Sequence, residues 1–125
     1  MKTVLSVAAI SGLLAVALGA FGAHGLKAII SPEMLEVYKT GVQYHFYHTF
    51  ALLAVGILMN FNQTKALKWS AYLFMTGIIL FSGSLYVLAI SGVKAFGMIT
   101  PFGGITWIAA WFLIFVHCRQ LTSSK

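Results

Sequence analysis

The chain has 125 residues, 60% hydrophobic and only 8% charged, with a formal net charge of +6 and a mean hydropathy of +0.93. A soluble domain carries about 25% charged residues, so composition excludes a soluble globule. The basic residues fall singly among the connections, never four in a row, which speaks against a nucleic-acid partner and for topology and lipid-headgroup contact.

Four apolar runs, 4–23, 42–61, 69–90 and 98–117, fill most of the chain, each near the ~20 residues a helix needs to cross ~30 Å of hydrocarbon. They are continuously apolar, where barrel strands would be shorter and would alternate. The expected fold is an all-α membrane protein, an antiparallel bundle of four transmembrane helices forming a single domain over 1–125. The lipid bilayer is its first partner.

Met1-Lys2 and the first run look like a secretory leader, but the run continues through Phe21 and Ala23, so it is read as a retained helix. Ala8, Gly12, Ala15, Gly19 and Gly22 or Ala23 recur every three or four residues along it. Such a stripe lets a neighbouring backbone approach closely, within one bundle or between copies of a homo-oligomer. Ser31-Pro32-Glu33 is a helix start: a hydroxyl cap, a proline at the first position and an acid near the positive end. From Pro32 about ten residues read as an amphipathic, interfacial turn, with Glu36 paired to Lys39 and a bend at Gly41.

The second run opens with the most informative stretch of the chain, Thr40-Gly41-Val42-Gln43-Tyr44-His45-Phe46-Tyr47-His48-Thr49. Polar side chains in a span are costly and usually face protein or water. The third run repeats small residues at Ser70, Gly77, Ser84 and Ser91, and the fourth has Gly97 and Gly104. Cys118 closes the fourth helix and has no second cysteine to pair with; with His117 it is at most half of a zinc site. Lys2, Lys65, Lys68, Arg119 and Lys125 fall on one side of the four spans and Lys27, Lys39 and Lys94 on the other, which places both termini in the cytoplasm.

Threading the four helices antiparallel, with the outer boundary at Ala23, Val42, Ile90 and Met98, puts His45 about 4–5 Å and His48 about 9 Å deep at ~1.5 Å per residue. Tyr86, Ser84 and Ser82 fall about 6, 9 and 12 Å below the same surface. His24, Gln43, Tyr47, Thr49 and Thr100 join them, so polar groups from all four helices meet in the outer half, while the inner half keeps little beyond Ser6, Ser11 and Thr76. Structural hydrogen bonding accounts for such a layer most simply. A metal or haem would need His24 opposite His48, because His45 and His48, one turn apart on one helix, cannot flank a macrocycle. Ser82 or Ser84 with His48 suggests a nucleophile and base, but the only carboxylates, Glu33 and Glu36, lie outside the spans and leave no triad. His48, deeper than His45 and level with hydroxyls, is expected to matter more to stability.

Four motifs carry a resemblance. Gly19-Ala20-Phe21-Gly22-Ala23-His24-Gly25, Thr40-Gly41-Val42-Gln43-Tyr44 with His48, Phe81-Ser82-Gly83-Ser84-Leu85-Tyr86 and Thr100-Pro101-Phe102-Gly103-Gly104 together resemble the YgdD/YwdK-like family of small multi-pass membrane proteins. The resemblance runs in order over almost the full chain. It implies a bacterial inner-membrane location with eukaryotic membrane relatives, no established biochemical activity, and often glutamine at position 45, which weighs against schemes needing both histidines. The candidate polar cluster is therefore His24, Tyr44, His48, Ser82, Ser84, Tyr86, Thr100, Pro101 and Gly103. The function expected is a non-catalytic membrane protein without cofactor, which assists a membrane-complex partner or none. A small oligomeric transporter or channel lined by the layer is the alternative, and metal or haem binding through His24 and His48 a weaker one.

Overall fold

A computed structural model describes residues 1–123; Lys125, counted above with the basic residues, lies outside them. Helix α1, Lys2–His24, ends in a short 3-10 turn at Leu26–Ala28. Helix α2 covers Pro32–Met59. The third span is built from α3, Lys65–Gly77, a wide π-helical stretch, Ile78–Gly83, and α4, Ser84–Ser91. A 3-10 segment, Lys94–Met98, leads into α5, Thr100–Ser123. Four helices, Lys2–Ala28, Pro32–Met59, Lys65–Ser91 and Lys94–Leu121, are long and apolar enough to cross a membrane.

The boundaries have local causes. Ser31 Oγ accepts the Met34 N–H at 3.1 Å with Pro32 next in line, and Thr64 Oγ1 accepts the Leu67 N–H at 3.2 Å, so each hydroxyl satisfies an amide the first turn leaves unpaired. Gly92 closes the third span in the left-handed conformation, φ 72°, its N–H on the Leu88 carbonyl at 2.8 Å, a geometry that favours glycine.

The ten residues expected as an interfacial turn are the start of α2, which runs unbroken from Pro32 through Gly41. Gly41 is buried, and a Cβ there would lie 3.0 Å from the Tyr86 ring. The missing side chain makes room for a neighbour on the third span. Lys39 and Glu36 do pair, at 3.6 Å, both exposed.

The small residues of α1 face α2. Gly12 lies against Thr49, Gly19 against Val42, Gly22 against the Tyr38 ring, and Leu5 against Gly56. In the third span Ser70 donates to the Ala110 carbonyl at 2.9 Å, the Gly77 surface receives the Trp107 indole, and Trp107 Nε1 donates to the Phe74 carbonyl at 3.2 Å. Both stripes are thus used inside the bundle, with Ser91 alone exposed among the four of the third span. Between the helices, Leu52, Val55, Leu67 and Phe74 are fully excluded from the surface and form an apolar plug at the level of the α3 helix.

Candidate functional site

The α1–α2 contact sets the site. Tyr38, not Val42, lies opposite Gly22, and its hydroxyl donates to the Leu18 carbonyl. Relative to the threading by hydropathy, α2 is displaced by four residues, about one turn or ~6 Å. That displacement brings Ser11, assigned above to the inner half, level with His45 and Thr49.

The result is a chain of hydrogen bonds across three helices. Thr49 Oγ1 and Ser11 Oγ lie 2.6 Å apart, Ser11 Oγ and His45 Nε2 2.9 Å, and His45 Nδ1 and the Tyr86 hydroxyl 2.8 Å. Ser11, His45 and Thr49 are buried and Tyr86 half-buried. A neutral imidazole has one donor and one acceptor nitrogen, so the bonds point together: either Tyr86 donates to His45, which donates to Ser11, or Ser11 donates to His45, which donates to Tyr86. Each hydroxyl in the chain can serve in both directions.

A second group joins α2, the third span and α5. Ser82 Oγ donates to the Gly41 carbonyl at 2.7 Å. Ser84 Oγ donates to the Phe81 carbonyl at 2.9 Å and lies 2.5 Å from Thr100 Oγ1. A Cβ on Gly103 would come 2.5 Å from the Phe81 nitrogen, so glycine lets α5 touch the backbone of the π-helical stretch. His48 donates from Nδ1 to the Tyr44 carbonyl of its own helix at 2.8 Å and stacks flat on Trp107, rings 3.6 Å apart and 2° from parallel. Tyr44 stacks on Phe81 at 5.1 Å and leans on His48 at 6.3 Å.

Of the nine residues singled out, the fold gathers Tyr44, His48, Ser82, Ser84, Tyr86, Thr100 and Gly103 where α2 and α5 meet the third span. His24 and Pro101 are exposed at helix ends. His24 stands twelve residues along α1 from Gly12, which faces Thr49, hence about 18 Å from the level of His48; the two cannot share one metal or flank one haem. Among the described residues no three of His, Cys, Asp and Glu converge on a metal-sized site. The serines also part from the hydrolase reading, since Ser82 and Ser84 bond to Gly41, Phe81 and Thr100, and His48 faces an indole.

The expectation that His48 has the hydroxyl neighbours is corrected: His45 has them. Hydropathy could not reveal this, because Ser11 sits in an apolar run and its partner depends on interhelical register. The i, i+4 pair His45 and Thr49 was the available signal, one helix face offering two polar groups to a neighbour. Beside the chain, Ser11 and His45 floor a lateral groove of about 270 Å³ between α1 and the third span, walled by Val7, Leu14, Met75 and Ile78. Every buried side-chain nitrogen and oxygen among the described residues has a partner.

The chain matches, over residues 18–104, a family described as protein of unknown function (DUF423). It is 44% identical over 117 residues to the UPF0382 membrane protein YwdK of Bacillus subtilis (strain 168), covering 93% of this chain and 95% of that protein. It is 39% identical over 116 residues to the UPF0382 membrane protein SAB0533 of Staphylococcus aureus, with 93% and 94% covered. With the UPF0382 inner membrane protein YgdD of Escherichia coli (strain K12) it shares 40% identity over 120 residues, 96% of this chain and 92% of that one. No solved structure matches it.

Proposed function

The chain belongs to the DUF423 family of proteins of unknown function, and we propose that it is a non-catalytic multi-pass membrane protein whose buried hydrogen-bond chain fixes the register of its helices. The observation that carries this reading is the closure of the chain: Thr49, Ser11, His45 and Tyr86 satisfy one another across α1, α2 and α4. Helices in lipid gain no hydrophobic driving force from meeting, so packing and a few interhelical hydrogen bonds must specify how they slide past each other. With Tyr38 at the mouth of α2, this polar layer lies about one turn deeper than hydropathy alone places it, toward the middle of the bilayer. Ser82 on Gly41 and Ser84 by Thr100 extend the same role to α5.

The plug of Leu52, Val55, Leu67 and Phe74 supports this reading over a path through one copy, because a conduit needs polar groups on both sides of the layer. Protein purified and reconstituted into liposomes should give no sustained ion or solute flux. Ser11→Ala should cost about 0.6–1.7 kcal/mol of stability in detergent, from the average to the maximum found for hydrogen bonds between membrane helices. Flux that disappears in His45→Ala would overturn the proposal in favour of a conducting oligomer, and wild-type stability of Ser11→Ala would remove its basis.

A further inference from the structure

At the end of the bundle that carries the N-terminus of α1, a groove of about 300 Å³ opens between α1 and α3 below the α2–α3 connection. Its exposed lining residues, Met1, Thr3, Gln63, Lys68 and Tyr72, form a largely polar rim. The buried Val4, Met59 and Ala71 with the half-buried Met75 form an apolar wall.

We propose that this groove binds one anionic glycerophospholipid, with its phosphate at Lys68 and an acyl chain along the wall. Charge complementarity argues for that occupant. Lys65 lies one turn before Lys68, and Lys2 and Arg119 stand at the same end, whereas both carboxylates, Glu33 and Glu36, belong to the far end of α2. The one ion pair among the described residues, Lys39 with Glu36, is also at the far end, so among the described residues no side-chain carboxylate neutralises Lys68. Basic recesses between membrane helices hold acidic headgroups by this chemistry. The volume is at the lower limit of small-molecule sites, roughly 300–1,000 Å³, which suits a glycerophosphate and the first methylenes. A soluble phosphate would use the rim alone, whereas a lipid also uses the wall of Val4, Met59 and Met75.

The test is native mass spectrometry of the full chain released from nanodiscs of equimolar phosphatidylglycerol and phosphatidylcholine. The wild type should retain one phosphatidylglycerol in preference to phosphatidylcholine. Lys68→Gln should reduce that preference roughly fivefold, the effect of one basic residue at an anionic surface, while Lys68→Arg keeps it and Lys94→Gln, at the opposite end, leaves it unchanged. Lys68 is exposed, and melting in pure phosphatidylcholine nanodiscs should show Lys68→Gln folded as the wild type is, lacking only the added stability that phosphatidylglycerol gives. Equal retention of the two lipids by the wild type, an unchanged preference in Lys68→Gln, or displacement of the lipid by millimolar inorganic phosphate would each overturn the proposal.

Discussion

His45 and His48 are three residues apart on one helix and meet different chemistry. His45 is bonded through both ring nitrogens to side chains of other helices, Ser11 and Tyr86. His48 uses Nδ1 on its own helix and otherwise serves as a flat surface against Trp107. Phenylalanine separates the two roles. His48→Phe keeps an aromatic ring on the indole and gives up a bond whose acceptor, the Tyr44 carbonyl, is still within the helix; the loss should stay below about 1 kcal/mol. His45→Phe leaves Ser11 only its bond to Thr49 and takes from the half-buried Tyr86 hydroxyl its partner on α2, and a polar group left unmet costs about 1–3 kcal/mol. Glutamine at 45 carries both a donor and an acceptor, so His45→Gln should recover most of the loss. Thermal unfolding of the three variants in one detergent checks the order His48→Phe, His45→Gln, His45→Phe, from most to least stable. A His48→Phe variant less stable than His45→Phe would reverse the assignment.

The helices themselves were largely legible in the sequence, and the way they slide past one another was not. Hydropathy located four spans because continuous apolar runs need no tertiary knowledge, and Ser31-Pro32 marked the start of α2 because a cap is a local device. The stretch from Pro32 to Gly41 misled, since Tyr38, Lys39 and Thr40 read as interfacial. In the fold the Tyr38 ring fills the space that Gly22 leaves and its hydroxyl is satisfied by the Leu18 carbonyl, so a residue scored as polar is one of the most buried in the chain. That single contact displaces α2 by a turn and decides that Ser11 belongs to the site. The register can be checked by crosslinking in a Cys118→Ser background. Cysteines at Gly19 and Val42, which are in contact, should form a disulfide on mild oxidation in membranes. Cysteines at Ala23 and Val42, level in the hydropathy threading, should not, because they stand about a turn out of register. Crosslinking of the second pair alone would restore the shallower placement of the polar layer.

For the molecule as a whole, orientation follows from how the ends differ. Thr64 Oγ1 and His117 Nδ1, 2.9 Å apart, tie the α2–α3 connection to the last turns of α5, so Lys2, Lys65, Lys68 and Arg119 gather at one end, against Lys27, Lys39 and Lys94 at the other. Basic residues near span ends are retained on the cytoplasmic side, so the expected topology has both termini in the cytoplasm, and it would set the groove proposed for a lipid in the leaflet where anionic headgroups attract cations most strongly. Cys118 is exposed at the first of these ends and reports on it directly. A membrane-impermeant maleimide should label Cys118 in inverted vesicles and leave it unlabelled in intact cells until they are permeabilised. Lys27→Cys in a Cys118→Ser background, at the opposite end, should show the converse pattern. The two reporters together distinguish a reversed molecule from a buried thiol: reversal exchanges both patterns, whereas burial would silence one. An exchanged pattern would place Lys68 at the outer leaflet and show that the modest basic excess does not set the topology of this chain.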